Sequence, residues 1–319
     1  MQTFDSGDIL SSRGNSKADI WKEILICPIC QSAKENHSFF EGFLDQGFEL
    51  SFTICHVCGL VFQSPRFTDA ALGEFYESEY RRTVQGQDGP SEKDIRVQSG
   101  RARNILVHVK DEIGPVTSML DIGSSTGILL RLFREQLGVN VIGVEPGQAY
   151  REYSLQQGIP TYQDLESIPD SQDRFEIISL LHVLEHVPNP VDYLVGLRER
   201  WLEDRGTLVI EVPYLYGHQS LELSHLFAFT KATLSNMLSR SGYEVIKIRT
   251  HGDPRSALIP LYLLVLARPT RGLANHPSRA RVSMIHFRRR LGNMYRWVMT
   301  KFLPFLSWKS LPDRLFEDN

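Results

Sequence analysis

The feature that most constrains the fold is a glycine-containing turn between an apolar run and a helix-like segment. Residues 116–120 have the composition of a buried strand, and apolar residues from Ile128 onward recur with the period of a helix. Between them lie Asp121, Gly123 and Gly127. Glycines at a strand-to-helix turn let a ligand contact the backbone, and they leave amide donors at the helix start for a negatively charged group. The spacing of the glycines excludes the G-x-G-x-x-G fingerprint of dinucleotide-binding proteins.

Size and charge limit the classes of function. The chain has 319 residues and a net charge of −3, which suits one large or two smaller domains and provides no overall attraction for nucleic acid. Residues 1–18 are polar and lack the apolar region of a secretory signal, and no apolar run is long enough to predict a membrane span. We therefore expect a cytoplasmic protein without a nucleic-acid partner.

The cysteines form two pairs near the amino terminus. Cys27 and Cys30 form one Cys-x-x-Cys pair, and Cys55 and Cys58 form the second. Two such pairs can wrap one tetrahedral zinc ion, whereas disulfides are rare in a reducing compartment. The alternatives are reduced, metal-free thiols or a redox pair. We expect a structural zinc ion without catalytic function, because four thiolates leave no open coordination position.

Shifts in composition divide the chain into five segments. They are a disordered tail (1–20), a zinc ribbon (21–64), a helical connector (65–113), a domain of alternating strands and helices (114–268) and a basic amphipathic tail (269–319). The connector contains a polar lid at 81–93. The amphipathic tail is expected to dock on the domain or on a second copy. A membrane surface or nucleic acid is the alternative partner.

The alternation in residues 114–268 predicts an α/β fold, a doubly wound and mostly parallel sheet with helices on both faces. The strand candidates are 116–120, 139–144, 161–162, 175–181, 207–212, 243–249 and 258–266, and helices are expected at 68–80 and 94–113 before them. Ligands bind such sheets beyond the carboxyl ends of the strands. The loops that follow these strands are therefore expected to face one crevice.

Acidic residues follow the second and third strands of the predicted sheet. Glu145 ends the second strand, 22 positions after Gly123. A carboxylate at that strand end can bind both hydroxyls of a ribose. The alternative is that Glu145 is a surface glutamate. Asp164 and Leu165 are expected to flank the base of a bound nucleotide, unless Asp164 caps a helix. Asp121 is expected to support the loop amides or an ammonium group of the ligand. Ser124 is small enough for close approach of that ligand.

A histidine-rich segment follows the fourth strand. His182, Glu185 and His186 form H-x-x-E-H, the motif of a class of zinc proteases when it lies on a helix. Pro188 and Pro190 stop a helix within a turn, so a protease is a remote alternative. Beside a ligand held at the glycine turn, His182 or His186 can act as a general base on a hydroxyl. The alternative is that these side chains only cap the strand end.

Further candidates lie in the loop after the fifth strand. His225 can bind substrate, act as the base, or join His182, Glu185 and His186 around a divalent ion. His218 is an additional candidate for the same crevice. Four tyrosines are expected to line the substrate cavity or to belong to the core: Tyr76, Tyr80, Tyr214 and Tyr216.

These motifs together resemble the class I S-adenosylmethionine-dependent methyltransferases. More narrowly, they resemble the subgroup with an amino-terminal zinc ribbon that is associated with sugars, surface polysaccharides or natural products. The resemblance extends over roughly residues 24–267. It rests on the two cysteine pairs, the glycine turn with the spacing of the S-adenosylmethionine loop, Glu145-Pro146, HVLEHV at 182–187 and HLFAFT at 225–230.

The resemblance implies a Rossmann-like sheet of seven strands whose last strand is antiparallel. Related enzymes that bind a divalent ion carry Glu-x-x-Glu-His at the fourth strand, where this chain has His182 in the first position. The cofactor contacts that the resemblance implies come from Asp121, Gly123, Gly127, Glu145 and Asp164.

We therefore expect methyl transfer from S-adenosylmethionine to a hydroxyl of a small polar acceptor, a sugar or a glycan-linked group in polysaccharide biosynthesis. The alternatives are a sugar C-methyltransferase, an RNA methyltransferase, a zinc metalloprotease at 182–186, and a binding module that keeps the fold without catalysis. The long insert typical of sugar C-methyltransferases is not found after the second cysteine pair, which favours O-methylation. The oligomeric state stays open.

Overall fold

The computed structural model describes residues 20–78, 89–169, 174–270 and 281–316, except for the side chains of 74–78. The strands are β1 (Trp21–Lys22), β2 (His37–Asp45), β3 (Phe48–Cys55), β4 (Val61–Gln63), β5 (Arg66–Phe67), β6 (Ser118–Ile122), β7 (Asn140–Val144), β8 (Thr161–Tyr162), β9 (Phe175–Leu181), β10 (Leu202–Pro213), β11 (Phe227–Ala228), β12 (Tyr243–His251) and β13 (Tyr262–Pro269). The α-helices are α1 (Asp69–Ser78), α2 (Glu92–Ile113), α3 (Ile128–Leu137), α4 (Gln148–Gln156), α5 (Pro190–Gly196), α6 (Lys231–Arg240), α7 (Val282–Phe302) and α8 (Pro304–Ser307).

A seven-stranded sheet forms the centre of the fold, with the strand order β12-β13-β10-β9-β6-β7-β8. The neighbouring strands from β10 to β8 in that order are parallel, and β13 is antiparallel to both β10 and β12. The predicted fold class and the antiparallel last strand are confirmed. Because β6 to β10 are parallel, the segments that follow these strands lie at one edge of the sheet, where such folds bind ligands.

Successive residues along each strand face opposite layers of helices. Met119 packs with Ile105 of α2 and Phe133 of α3 in one core, whereas Leu120 packs in a second core that includes Leu194 of α5 and Leu234 of α6. Because both faces of the sheet carry apolar side chains, a layer of helices covers each face, as in other doubly wound sheets. This packing holds the strand ends, and therefore the loops of the crevice, on a rigid frame.

Two predicted boundaries differ from the structure for identifiable reasons. The strand predicted at 258–266 begins only at Tyr262, because the chain is irregular around Pro260, whose nitrogen cannot donate a hydrogen bond. The helix predicted at 94–113 begins two residues earlier, at Glu92. Ser91 and Asp94 form a reciprocal capping box there, which satisfies two backbone amides at the helix start.

The amino-terminal segment forms a four-stranded antiparallel sheet with the order β11-β4-β3-β2. Strands β2 and β3 form a hairpin within residues 21–64, the segment predicted to be a zinc ribbon. Its fourth strand, β11, comes from the segment directly after His225, where Phe227 pairs with Phe62 and Ala228 with Val61. The cysteine-containing sheet and the loop that carries His225 are therefore one hydrogen-bonded unit.

The carboxyl-terminal segment consists of α7, α8 and an extended stretch to residue 316. None of the described helices combines the length and the apolar character that crossing a bilayer requires. Several expectations lie outside the described residues: the disordered tail up to residue 19, the part of the lid at 81–88, Tyr80, and the start of the amphipathic tail at 271–280.

Candidate active site

The glycine turn connects β6 to α3 at the carboxyl edge of the sheet. Gly123 and Gly127 both have left-handed backbone conformations, with φ angles of 72° and 71°, which residues with a Cβ rarely adopt. A Cβ on Gly127 would lie 2.3 Å from Ser154 Oγ, and a Cβ on Gly123 would lie 2.6 Å from Val183 Cγ2. Gly127 is the N-cap of α3 and offers no side-chain acceptor to the first amides of that helix. The turn therefore has the backbone that close contact with a ligand requires.

Glu145 lies directly after β7, and only 1% of its surface is exposed. Its Oε2 accepts a hydrogen bond from the amide of Ser125 at 2.9 Å, and its Oε1 accepts one from the amide of Gly147 at 2.8 Å. The alternative of a surface glutamate is wrong, because the carboxylate is buried against the glycine turn. A carboxylate in this place is the chemical group that binds ribose hydroxyls in nucleotide sites.

Asp121 is buried at the end of β6, where its Oδ1 accepts a hydrogen bond from Ser179 Oγ at 2.6 Å. Burial raises the pKa of Asp121 to about 7, against the opposing effect of the Ser179 hydrogen bond. A cationic group such as a ligand ammonium would stabilise its charged form. Ser124 packs against β7, since its Oγ lies 2.6 Å from the place that a Cβ on Gly143 would take.

Asp164 and Leu165 follow β8, as the sequence predicts, but the Asp164 side chain serves a local turn. Its Oδ1 accepts hydrogen bonds from the amide of Ser167 at 2.8 Å and from Ser167 Oγ at 2.6 Å. Leu165 packs against the larger core of the protein. The Asp164 carboxylate therefore supports a turn and does not cap a helix, and the roles of Asp164 and Leu165 beside a nucleotide base stay predictions.

The segment from His182 to His186 is a tight turn and does not form the helix that a zinc-protease motif needs. His182 has a φ of 58°, and residues 184–186 form a single turn of 3-10 helix. The two histidines therefore do not project from one face of an α-helix, which argues against the metalloprotease alternative. Val183, between them, packs on Gly123, so the segment lies directly against the glycine turn.

His182 lies between two buried carboxylates. Its Nδ1 is 3.4 Å from Glu185 Oε1, and its Nε2 is 3.1 Å from Glu211 Oε1. Burial and Arg101 lower the pKa of His182, but the hydrogen bonds to Glu185 and Glu211 outweigh them and raise it overall. Burial raises the pKa of Glu185, but the interactions with His182 and His186 lower it overall to about 2. The structure thus favours a protonated His182 between ionised glutamates.

His186 and His225 have a different electrostatic environment. The Nδ1 of His186 lies 2.8 Å from the carbonyl oxygen of Ser224, and the rings of His186 and His225 are 5.0 Å apart. Burial lowers the pKa of His186 and lowers that of His225 to about 3. Both rings are therefore neutral at pH 7. One ligand atom each from Glu185, His186 and His225 lies within 4.8 Å of the others, so three of the four members of the predicted ion cluster come together, without His182.

Sequence reasoning missed a buried charge network behind His182. Glu211 of β10 is completely buried, 2.9 Å from Arg101 Nε and 3.1 Å from His251 Nε2. The ring of Tyr262 lies 5.1 Å from that of His182. Only the charge at Glu211, inside the otherwise apolar run 208–212 of β10, could have indicated this network, because its members come from distant segments.

A second side of the crevice is formed by residues 213–228. A cavity there is lined by Tyr214, His218, Ser220, Glu222 and His225, among others. Burial lowers the pKa of His218 to about 4. Its Nε2 donates a hydrogen bond to the carbonyl oxygen of Leu261 at 2.9 Å, because a carbonyl oxygen only accepts. Tyr216 packs edge-on against Tyr214, whereas the side chain of Tyr76 and all of Tyr80 lie outside the described residues.

The four cysteine sulfurs converge below the β2–β3 hairpin. The Sγ atoms of Cys27 and Cys58 are 3.5 Å apart, as are those of Cys30 and Cys55, and all four lie within 4.8 Å of one another. A tetrahedral zinc site with bonds of about 2.3 Å separates its sulfurs by about 3.8 Å. The residues after the two pairs, Gln31 and Gly59, both have a left-handed φ, of 60° and 77°. The two pairs therefore form matching turns around a space that suits one zinc ion.

Comparisons with known proteins agree with the fold. Residues 91–248 match the model of a family described as a methyltransferase domain. The structure of 1,6-didemethyltoxoflavin-N1-methyltransferase from Burkholderia thailandensis, with bound 1,6-didemethyltoxoflavin and S-adenosylhomocysteine, is 18% identical with a TM-score of 0.53, and the match covers 72% of this chain and all of that one. The CcbJ methyltransferase from Streptomyces caelestis is 17% identical with a TM-score of 0.44, over 62% of this chain and 96% of that one. No curated protein matches the chain.

The match over residues 91–248 includes the glycine turn, Glu145, the His182–His186 turn and His225. Together with the seven-stranded sheet, it defines the class as that of the class I methyltransferases. The chain is an S-adenosylmethionine-dependent methyltransferase, as the sequence predicts. The buried carboxylates of Asp121 and Glu145 beside an uncapped glycine turn fit the ammonium and ribose groups of S-adenosylmethionine.

Proposed function

We propose that the protein transfers a methyl group to a hydroxyl of a small polar acceptor, a sugar or a glycan-linked group in polysaccharide biosynthesis. The observation that carries this proposal is the contact between His186 Nδ1 and the carbonyl of Ser224. A carbonyl oxygen only accepts hydrogen bonds, so Nδ1 carries the proton and Nε2 is the basic nitrogen. A neutral imidazole with a basic Nε2 is the group that takes a proton from an attacking hydroxyl.

His186 suits the role of base better than His182 for an electrostatic reason. Both ring nitrogens of His182 face carboxylates, and its pKa is raised, so it accepts a proton from a hydroxyl only after losing a more tightly held one. Burial lowers the pKa of His186, which keeps it ready to accept one. We therefore assign the base to His186, the orientation of the Glu185 turn to His182, and acceptor binding to His225.

The acceptor is placed in the cavity between residues 213 and 228. Its lining includes hydroxyl, imidazole and carboxylate groups at Tyr214, His218, Ser220, Glu222 and His225. Donors and acceptors of this kind suit a polyol, because each sugar hydroxyl both donates and accepts. These polar groups, together with the apolar residues Leu215, Leu221 and Phe227 of the same lining, support a sugar as the acceptor.

Cofactor and protein have separate tasks in the proposed reaction. When bound, S-adenosylmethionine supplies an electrophilic methyl group on a sulfonium. Asp121, Gly123, Gly127 and Glu145 hold and orient the cofactor beside the His182–His186 turn. The cavity aligns the acceptor oxygen with the methyl carbon, which lowers the barrier through proximity and orientation. His186 removes the hydroxyl proton as the new bond forms.

The competing proposals differ in the atom that receives the methyl group. A sugar C-methyltransferase would modify carbon, an RNA methyltransferase would modify a nucleotide, and the similar enzyme from Burkholderia thailandensis is named as an N1-methyltransferase. A non-catalytic binding module would bind the cofactor and give no product. The net charge of −3 gives no support to RNA as the acceptor.

Product analysis distinguishes these proposals. The protein is incubated with methyl-labelled S-adenosylmethionine and separate pools of nucleotide-activated sugars, free oligosaccharides, amines and RNA. We expect label in a sugar pool, and NMR of the product to place the methyl group on oxygen. Label on carbon, on nitrogen or in RNA would replace the proposed acceptor class, and cofactor binding without labelled product from any pool would favour the binding module.

We also propose that Cys27, Cys30, Cys55 and Cys58 hold one structural zinc ion. The support is the convergence of four thiols in two matching turns, and none of them takes part in a disulfide. Unpaired thiols of this kind are typical of a reducing compartment, and we therefore assign the protein to the cytoplasm. Since β11 joins the cysteine-containing sheet directly after His225, the zinc ion would stabilise one wall of the acceptor cavity.

Replacing Cys55 with serine tests the zinc site. We expect wild-type protein to contain one zinc per chain by plasma mass spectrometry, and Cys55→Ser to lose most of it and to melt about 5 °C lower or more. Ser32→Ala is the matched control, because Ser32 Oγ contacts the sulfurs of Cys30 and Cys55 without being a thiolate ligand. Equal zinc content in wild type and Cys55→Ser would rule out this site.

A further inference from the structure

The outward face of α7 takes no part in the proposed methyl transfer. It carries six large apolar side chains whose exposed fractions range from 40% to 62%. We call them the outer stripe; its members are Met284, Phe287, Leu291, Met294, Tyr295 and Phe302. Their spacing of mostly three or four residues places them on one side of the helix. These exposed fractions show that the described residues leave much of the stripe open to solvent, although the Tyr295 hydroxyl donates to the Leu258 carbonyl and Phe302 contacts Trp297 edge-on.

The apolar surface continues beyond the end of α7. Leu303, Phe305 and Leu306 are exposed around the short helix α8, and Phe305 is 96% exposed. A fully exposed phenylalanine next to an exposed leucine is costly in water and typical of a surface that binds something. The outer stripe and α8 thus form one continuous apolar edge.

The inner face of α7 explains why the stripe has a fixed orientation. Arg289 is 1% exposed, and its guanidinium donates to Glu41 and to the carbonyls of Leu215, His218 and Gln219. Gly292 packs on the Tyr216 carbonyl, where a Cβ would lie only 2.3 Å away. The run Arg288–Arg290 suggests from sequence alone that Arg289 lies on a solvated basic face, but the structure buries it. It anchors the helix and leaves the stripe pointing outward.

Basic residues border the stripe on both sides. With 100° per residue, Arg288 falls on one edge of the stripe and Arg290 and Lys301 fall on the other. Residues 281–312 contain seven Lys and Arg and no Asp or Glu, although the whole chain has a net charge of −3. The Lys301 ammonium also lies 4.7 Å from the ring centre of Trp297. The surface is thus apolar in the middle and cationic at its margins.

We propose that the outer stripe of α7, together with α8, binds the surface of a membrane that contains anionic lipids. Apolar side chains on one face of a helix enter the boundary between headgroups and acyl chains, while flanking Lys and Arg contact anionic headgroups. Aromatic residues such as Trp297 suit the headgroup level. The helix lies on the bilayer in this arrangement and does not cross it.

Charge disfavours the other occupants of this surface. Pairing of two copies through the stripe would bring Arg288 and Arg290 of each copy next to like charges, with no acidic residue in 281–312 to compensate. Nucleic acid is bound mainly by basic side chains on phosphates, and it would leave the apolar centre of the stripe exposed to water. An anionic membrane satisfies both the apolar and the cationic parts.

Membrane binding would also place the acceptor cavity near the bilayer. The segment 215–219, on which Arg289 and Gly292 dock, includes His218 of the cavity lining. This consequence rests on the proposed function, whereas the binding itself does not depend on it.

Sedimentation with lipid vesicles tests the proposal. We expect the full chain to bind vesicles of phosphatidylcholine with phosphatidylglycerol at least about tenfold more tightly than vesicles of phosphatidylcholine alone. The double substitution Phe287→Ser with Met294→Ser removes the apolar centre, and Arg290→Glu with Lys301→Glu reverses the charged margin. Each is expected to weaken binding to the anionic vesicles by about tenfold or more.

Two matched variants control for general surface effects. Phe39→Ser with Leu44→Ser removes exposed apolar side chains from β2, and Lys110→Glu with Arg205→Glu reverses two exposed charges outside the stripe. Both are expected to bind vesicles like wild type. We expect all four variants to bind S-adenosylmethionine equally well, which would show that they are folded. This control does not require a known methyl acceptor.

Three results would overturn the proposal. The first is equal binding to both kinds of vesicle, or no binding to either. The second is a dimer in light scattering that dissociates on Phe287→Ser with Met294→Ser, since a second copy would then cover the stripe. The third is tighter retention on RNA than on anionic vesicles with the same dependence on Arg290 and Lys301.

Discussion

Replacing Glu145 with alanine is expected to weaken S-adenosylmethionine binding by about 100-fold, because two charge-assisted hydrogen bonds to the ribose are lost at about 1.5 kcal/mol each. The same substitution removes the acceptor for the amide of Ser125, so the glycine turn also loses a support. Isothermal titration calorimetry of the cofactor measures the affinity directly. Glu145→Gln keeps the size of the side chain and is expected to give an intermediate loss.

The neighbouring helix offers a matched control for Glu145→Ala. Glu152 is an exposed glutamate on α4 whose carboxylate accepts a hydrogen bond from Gln148 of the same helix. Glu152→Ala is expected to bind the cofactor like wild type. Affinity that stays within twofold of wild type in Glu145→Ala would show that this carboxylate does not bind the cofactor.

Replacing His186 with alanine is expected to lower kcat by about 100- to 10,000-fold, the range that a general base contributes. The cofactor affinity should change little, because the methyl-donor site is built from the glycine turn and Glu145. Once an acceptor has been identified, steady-state kinetics with that acceptor measure the effect. His108→Ala is a suitable control, since His108 lies on α2 beside Arg249 and outside the crevice.

The pH profile distinguishes His186 from His182 as the base. A general base works only when it is unprotonated, so activity falls as the pH drops through its pKa. Burial lowers the pKa of His186 from its ordinary value, whereas the pKa of His182 is raised. We therefore expect kcat/KM to stay constant down to below pH 6.5. An acidic limb above that value that disappears in His182→Ala would transfer the role to His182.

Local sequence signals were sufficient for the parts of the site that lie on one continuous segment. The spacing of Gly123 and Gly127 reflects a backbone requirement, since both need a left-handed φ and neither has room for a Cβ. The position of Glu145 is predictable because it directly follows the second strand, which lies one helix beyond the glycine turn. The two cysteine pairs are similarly local, because each Cys-x-x-Cys turn places its own two sulfurs together.

Features that depend on long-range packing could not be predicted in this way. The partners of Glu211 come from α2, β12 and the turn after β9, and no periodicity links them. The hydrophobic rhythm of α7 shows that it is amphipathic, but not that Arg289 is buried on the docked side. For Asp164, a ligand role and a turn-stabilising role fit the same sequence, and the contact with Ser167, which shows the second role, depends on how the loop folds.

The central claim is that the turn at 123–127 and Glu145 together bind the nucleoside of S-adenosylmethionine. A crystal structure of the zinc-containing protein with S-adenosylhomocysteine tests it most directly. We expect density for the nucleoside over the glycine turn, with both ribose hydroxyls within hydrogen-bond distance of the Glu145 carboxylate. Nucleoside density at another place on the protein would contradict the claim. So would a glycine turn that is filled by protein side chains at saturating ligand.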